Sequence, residues 1–250
     1  MKTIAVLPAR MGSSRFPGKP LAKICGITMI EHVYRRVAMA QGLDQVIVAT
    51  CDNEIMEAVE AFGGRAEMTS SGHQRASDRV AEVATRIEAD VFLMVQGDEP
   101  MVTPKMCEQA IAPMRKDSTI GCVNLIKRID TNAEFVDPNT IKVIKDGSGN
   151  ALYFSREPIP TARLSGFEKI QAYKQVCIIP FKKEVLLRYF KLSPTPAEKA
   201  ESIDMMRFLE NGMPVRLVET EEMSHAVDTP ADLRRVEEMM RNDPLTKGYL

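Results

Sequence analysis

Tryptophan is absent, histidine occurs three times, and neither sign of charge dominates: 33 Lys and Arg face 34 Asp and Glu, for a formal charge of −1. That balance argues against a nucleic-acid binder, which carries a basic face. The five cysteines (Cys25, Cys51, Cys107, Cys122, Cys177) are odd in number, far apart and lack a C-x-x-C pair. The pattern excludes a disulfide framework or zinc site as the expected use and predicts reduced thiols in a cytoplasmic protein. No apolar run reaches the length of a membrane span. The first one, Ile4–Leu7, stops at Pro8 and reads as a buried strand rather than a signal peptide, so neither membrane partner nor export is expected. Repeats and long linkers are missing too, and one domain over 1–250 is expected. With 44% hydrophobic and 27% charged residues, nothing points to disorder, collagen or a coiled coil.

What is present is strand–helix alternation. Ile4–Leu7, Gln45–Ala49, Ala66–Met68 and Val91–Val95 read as strands; Met29–Gln41, Asn53–Phe62 and Ala76–Ile87 carry apolar residues at helical spacing. This predicts an α/β fold, a mostly parallel Rossmann-like sheet with helices on both faces. Thr103-Pro104 opens a further helix to about Met114. Thr119–Ile126, Ile141–Lys145, Ala151–Phe154 and Tyr173–Ile179 are β-like and separated by turns, predicting a small antiparallel β insertion at about 119–180. Helices follow at Lys182–Phe190, Pro196–Asn211 and Pro230–Arg241, with a strand at Pro214–Glu219 and Gly212 closing the second helix.

The loop after the first strand runs Pro8-Ala9-Arg10-Met11-Gly12-Ser13-Ser14-Arg15-Phe16-Pro17-Gly18-Lys19-Pro20-Leu21. In an open α/β sheet such a loop lies where ligands bind. It combines small residues, whose N–H groups can approach an anion, with Arg10, Arg15 and Lys19, the guanidinium forks and point charge that a triphosphate needs. It is neither a Walker A loop nor a G-x-G-x-x-G fingerprint.

Two acids also fall at chain turns. Asp98 follows the strand Val91–Val95 in Gln96-Gly97-Asp98-Glu99-Pro100, at the same sheet edge as the first loop. Asp228 sits in Val227-Asp228-Thr229-Pro230, where it reads equally as a helix N-cap or as a ligand, and both roles are compatible. Mg²⁺ takes one or two carboxylates and fills its shell with phosphate oxygens and water, so Asp98 and Asp228 form a candidate metal pair. His32, on a helix, and His225 are not candidate bases. Lys142 reads either as a surface lysine or as a phosphate contact, and Glu221-Glu222 as a solvated pair.

These segments, with Val48-Ala49-Thr50 and Ala151-Leu152-Tyr153-Phe154-Ser155-Arg156, resemble the 3-deoxy-manno-octulosonate (KDO) cytidylyltransferases in order and over nearly the whole chain. The Arg-x-Pro-Gly-Lys-Pro form of the first loop favours this branch over the sialic-acid cytidylyltransferases. The resemblance implies a CTP-dependent nucleotidyltransferase that activates a 2-keto-3-deoxy sugar acid, KDO or a modified relative, as its CMP derivative for lipopolysaccharide, as a homodimer with Mg²⁺. It implies that Arg10, Arg15 and Lys19 hold the triphosphate, that Asp98 and Asp228 bind the metal, and that Pro8, Ala9, Gln74 and Ser77 contact the nucleoside. Gln96, Arg156, Lys174 and Asp204 would face the acceptor. His73-Gln74-Arg75-Ala76-Ser77-Asp78-Arg79 departs from the family's Gln-Ser-Gly-Thr-Glu/Asp-Arg by placing Arg75, Ala76 and Ser77 at Ser, Gly and Thr. On the sugar side a family histidine and tyrosine become Lys174 and Ile178, and Glu-Gln becomes Asp204-Met205. The departures favour an altered but still anionic acceptor, a modified keto sugar acid or a phosphonate. A non-catalytic nucleotide-binding homologue ranks lower, since no phosphate cation or metal acid is lost.

Overall fold

All seven residues of β1 (Thr3–Ala9) are buried, so both faces of this strand are covered, as in a parallel sheet flanked by helices. The computed structural model describes residues 1–12, 15–223 and 225–250; Ser13 and Ser14 of the first loop, and Ser224, lie outside the described residues. After β1 comes a small hairpin, β2 (Lys23–Ile24) and β3 (Ile27–Thr28), which the sequence did not signal. Its two-residue turn has Cys25 at φ 48° and Gly26 at φ 96°, both left-handed as a tight hairpin turn requires.

The alternation then runs as the periodicity predicts: α1 (Met29–Ala38), β4 (Gln45–Thr50), α2 (Asn53–Ala61), β5 (Ala66–Met68), α3 (Ala76–Arg86) and β6 (Val91–Val95). Strands order as β6-β1-β4-β5, all parallel, with Ile4 opposite Gln45 and Thr3 opposite Val91. The fold is mixed α/β. Thr28 caps α1 by accepting from the Glu31 N–H, and Thr103 does the same for Met106 in α4 (Pro104–Lys116).

Contacts divide the chain into two compact units, residues 1–108 with 222–250, and residues 109–221. The second contains β7 (Val123–Arg128), α5 (Asn132–Val136), β8 (Lys142–Lys145), β9 (Ala151–Ser155), β10 (Tyr173–Val176), β11 (Ile178–Lys182), α6 (Lys183–Phe190), α7 (Pro196–Glu201), α8 (Met205–Glu210) and β12 (Arg216–Glu219). Five of its strands order as β12-β7-β10-β8-β9, antiparallel except for β12 beside β7. The expected insertion is therefore present and also recruits a strand beyond residue 180.

Two expected elements are each broken in two. The β-like run 173–179 splits at Cys177: Val176 still pairs with Leu125, whereas Phe181 bridges to Cys122. The single helix expected at 196–211 splits at Ser202, whose φ of 57° ends α7. The two pieces stay together through a buried bidentate ion pair, Arg207 to Glu198 at 2.7 and 2.6 Å. Lys142 is neither exposed nor a phosphate contact. It is buried and donates to the carbonyls of Asp137 (2.9 Å), Thr140 (2.7 Å) and Arg156, and desolvation pushes its pKa below the ordinary lysine range.

Back in the first unit, Glu222 is not a solvated acid but accepts from Thr103 Oγ1 and Lys105 Nζ. The chain closes with α9 (Pro230–Asn242) and α10 (Pro244–Lys247). The five cysteines are free, and no helix among the described residues is long and apolar enough to cross a membrane.

Candidate active site

The first unit's sheet changes winding direction between β1 and β6, because β1 leads through α1 to β4 on one side while α3 delivers β6 to the other. Such a switch point, at the carboxyl ends of the strands, is where open α/β sheets bind ligands. The loop after β1 and the turn after β6 leave from this edge as neighbours. Gly97 lets them touch: a Cβ there would stand 3.0 Å from the Pro8 carbonyl oxygen, 3.2 Å from Ile30 Cδ1 and 3.4 Å from Ala9 Cβ.

The first loop is tied down from outside and from within. The Met11 N–H donates to Asp52 Oδ2 at 2.8 Å, so Asp52 serves the loop instead of capping α2, which it precedes. Gly18, left-handed at φ 71°, returns its N–H to the Met11 carbonyl at 3.0 Å and sets up the 3-10 turn Lys19–Leu21.

Lys19 is the centre of the arrangement. Its ammonium donates to Asp98 Oδ2 at 2.6 Å, to the Val227 carbonyl at 3.1 Å and to Asp228 Oδ1 at 3.3 Å, with only 13% of the side chain exposed. Arg15 adds a second cation, 3.0 Å from Asp228 Oδ1. The acids are joined through the backbone as well, the Val227 N–H donating to the Asp98 carbonyl at 2.9 Å. Of the two roles open to Asp228, the helix cap belongs elsewhere: Thr229 caps α9, with Asp232 completing a capping box. The Asp228 carboxylate faces the basic loop.

Around this cluster lies a cleft of about 310 Å³, within the span of small-molecule sites. Pro8, Ala9, Arg10, Arg15, Lys19, Gln74, Gln96, Asp98 and Asp228 all line it, so most of the site residues expected from the sequence converge. So do His73, Arg75 and Arg79, which were not assigned a role. Arg79 is almost fully buried and donates to Thr69 Oγ1, to the Ser70 carbonyl (3.3 Å) and to Cys51 Sγ (3.5 Å), tying the start of α3 to the ends of β4 and β5. His73 is held by Glu82. Burial raises the Glu82 pKa, but the Ser70 N–H, His73 and Arg86 outweigh it and leave that carboxyl below its ordinary range. Five cations (Arg10, Arg15, Lys19, Arg75, Arg79) against two carboxylates make the cleft a polyanion site.

Ser77 does not join them. It lies on the helical face shared with Val80, Ala81 and Ala84, all buried, and its hydroxyl lies 3.8 Å from Met94 Sδ. Arg156, Lys174 and Asp204 belong to the second unit. The Arg156 guanidinium donates to the carbonyls of Glu201 (2.7 Å), Pro138 (3.0 Å) and Ser202 (3.5 Å); Lys174 pairs with Glu134; Asp204 precedes α8 without a side-chain cap bond.

The family described as Cytidylyltransferase matches residues 4–221. The 3-deoxy-manno-octulosonate cytidylyltransferase of Geobacter metallireducens is 46% identical, covering 96% of this chain and 98% of its own; that of Geobacter sulfurreducens is 44% identical, covering 96% and 100%. The chain belongs to the 3-deoxy-manno-octulosonate cytidylyltransferase family. A solved CMP:2-keto-3-deoxy-manno-octonic acid synthetase in complex with CTP superposes with a TM-score of 0.90 at 41% identity, over 96% of this chain and 99% of that one. The 4-diphosphocytidyl-2C-methyl-D-erythritol synthase of Anaerococcus prevotii shares the fold at 14% identity and a TM-score of 0.63, covering 96% of this chain and 99% of its own. Ile178 and Met205, two of the positions at which the sequence resemblance implies altered sugar contacts, are both buried.

The metal assignment fits the donors. No group of three or more His, Cys, Asp or Glu is gathered among the described residues, so Asp98 and Asp228 alone would leave most of a metal's shell to other oxygens. Two carboxylates sharing one cation are what Mg²⁺ uses when phosphate oxygens and water complete its shell.

Proposed function

We propose that this enzyme transfers the cytidylyl group of CTP to a 2-keto-3-deoxy sugar acid of the KDO type, releasing pyrophosphate, in the first unit's cleft. The observation that carries the reading is the convergence of Lys19, Arg15, Asp98 and Asp228 at the sheet's switch point. An acceptor oxygen attacks the α-phosphorus, a bond to phosphorus forms, and the bond to the bridging oxygen of pyrophosphate breaks. Such transfers depend on positioning and charge stabilisation more than on covalent help.

The main obstacle is repulsion, since an anionic acceptor must approach an anionic nucleotide. Each like-charged pair at 4 Å costs about 1 kcal/mol in water and about 4 at an effective dielectric near 20. Arg10, Arg15 and Lys19 offset that charge on the triphosphate. Asp98 and Asp228 would hold Mg²⁺, which would screen the phosphates and favour ionisation of the attacking hydroxyl. Pro8, Ala9 and Gln74 line the same cleft and would receive the cytidine. Gln96, Arg156, Lys174 and Asp204 are assigned to the acceptor.

The buried Ile178 and Met205 favour a second reading of the acceptor, in which a modified keto sugar acid replaces KDO. A site that lacks a hydrogen-bonding group loses its advantage for the corresponding hydroxyl. The active form is proposed to be a cytoplasmic homodimer; the free cysteines suit a reducing compartment, and Val136, Leu152 and Leu164 give the second unit exposed apolar side chains to cover.

Pyrophosphate release tests this. With the four nucleoside triphosphates, with and without Mg²⁺, against a panel of 2-keto-3-deoxy acids, CTP with Mg²⁺ and one member of the panel should be the productive set. Preference for UTP or GTP would remove the cytidylyl assignment, and full activity with KDO itself would remove the modified-acceptor reading.

A further inference from the structure

An ammonium group has three N–H donors and no more. All three donors of Lys19 are engaged, by Asp98, Asp228 and the Val227 carbonyl. Lys19 therefore cannot contact a phosphate without releasing at least one of these partners, and two of the three are the carboxylates assigned to the metal. We propose that Lys19 is an ordering device: in the nucleotide-free enzyme it blocks the Asp98–Asp228 pair against divalent cations, and the triphosphate opens the pair by drawing the ammonium away. The inference rests on the nucleotide and metal assignments above and adds a sequence of events to them.

The surroundings support exchange over a permanent structural ion pair. Asp98 and Asp228 are about one-quarter to one-third exposed, so an incoming cation can reach them. Lys19 itself stands at the start of a 3-10 turn whose preceding Gly18 fixes the backbone, leaving the flexible side chain as the part that moves. The competitor, a divalent cation, carries twice the charge of the ammonium but must shed water to bind, and phosphate oxygens add ligands to a shell that two carboxylates otherwise leave to water. Nucleotide-free protein thus keeps both acids paired with the lysine. Arrival of the triphosphate offers the ammonium a better anion and the metal its missing ligands at once. By linkage, whatever factor the nucleotide adds to metal affinity the metal adds to nucleotide affinity.

Mn²⁺ titrated into nucleotide-free protein, followed by the electron paramagnetic resonance signal of the free ion, tests the block directly and without turnover. Lys19→Met should bind Mn²⁺ about tenfold more tightly than the wild type, a typical size for such coupling. Lys19→Gln, which keeps a donor but no charge, should behave alike and guards against a misfolded first variant, with thermal melting as the check on both. Arg15→Met, which removes the cation 3.0 Å from Asp228 but leaves Lys19 bridging both acids, should change the affinity much less. Adding Asp98→Asn to Lys19→Met should abolish the gain. If Lys19→Met binds Mn²⁺ no better than the wild type while Asp98→Asn weakens binding, the acids hold the metal but the block is wrong. If neither substitution changes binding, the metal assignment fails and the block falls with it.

Discussion

At the scale of single residues, the site depends on close approaches that tolerate little change. Gly97 is the clearest, because the atom a Cβ would meet at 3.0 Å is the backbone oxygen of Pro8, which cannot swing aside as a side chain could. Gly97→Ala should therefore cost about 1–3 kcal/mol in denaturant unfolding and displace Asp98 from Lys19, lowering kcat with it. Asp98→Ala should leave the fold intact and reduce kcat by about 10² or more, the usual effect of deleting a preorganised charged group from a transition-state site; near-normal turnover would remove Asp98 from the machinery. Asp98 and the basic loop were legible because each follows a short buried strand, a local pattern. Asp52 was not, because its partner Met11 lies 41 residues away, and neither was Arg79, whose partners Thr69, Ser70 and Cys51 are brought to it only by the packing of α3 against the ends of β4 and β5. Ser77 stands on the face of α3 that turns toward β6, a placement its helical spacing carries beside its motif position.

Elements show the same division between local and tertiary causes. Strands and helices of the parallel sheet were legible within a few residues, since hydrophobic period and flanking turns agree there. The break at Ser202 was not, because apolar spacing continues across a residue that is left-handed, and the buried Arg207–Glu198 pair that stabilises the bend is formed between the two halves. The short α5 and α10 carry too few residues to show a period. Yet α10 is firmly held. Arg36, buried on α1, donates to Asp243, to Thr246 Oγ1 at 2.7 Å and to Tyr249 Oη at 3.1 Å, while His32 bonds Tyr249 Oη and the Ile24 carbonyl, each at 2.7 Å. The C-terminal turn is thereby linked to the β2–β3 hairpin that follows the basic loop. Burial raises the Asp243 pKa, but the Thr246 N–H and Arg36 outweigh it, leaving the carboxyl below its ordinary 3.8. Because the folded value is the lower one, Asp243 contributes its full stabilisation above pH 3.8 and loses it as pH falls further through the folded value. Asp243→Asn should cost about 2 kcal/mol at neutral pH, and the gap between the two unfolding curves should close below pH 3.8. A gap that persisted unchanged into acid would mean that the pair is not what holds α10.

At the scale of the whole molecule, a formal charge of −1 conceals a cationic cleft, which is why net charge excluded a general nucleic-acid surface but could not exclude a nucleotide. The division into two units carries a functional corollary. Every residue lining the cleft, Gln96 included, lies in residues 1–108 or 222–250, whereas the other three residues assigned to the acceptor, Arg156, Lys174 and Asp204, lie in 109–221. If the assignments hold, the two substrates are separable by mutation. Lys174→Ala removes one cation from the second unit, where its present partner Glu134 is partly exposed and can be solvated when the lysine is gone. It should raise the KM for the acceptor at least about tenfold, the lower end for losing a charged hydrogen-bonding partner. The Kd for CTP, measured by calorimetry without acceptor, should stay within about twofold, because additivity holds for sites that share no partners. Arg15→Ala should do the reverse, weakening CTP first. Should Lys174→Ala weaken CTP and acceptor together, the assignment of the acceptor to the second unit's cations would be lost, while the nucleotide cleft, built wholly from the first unit, would stand.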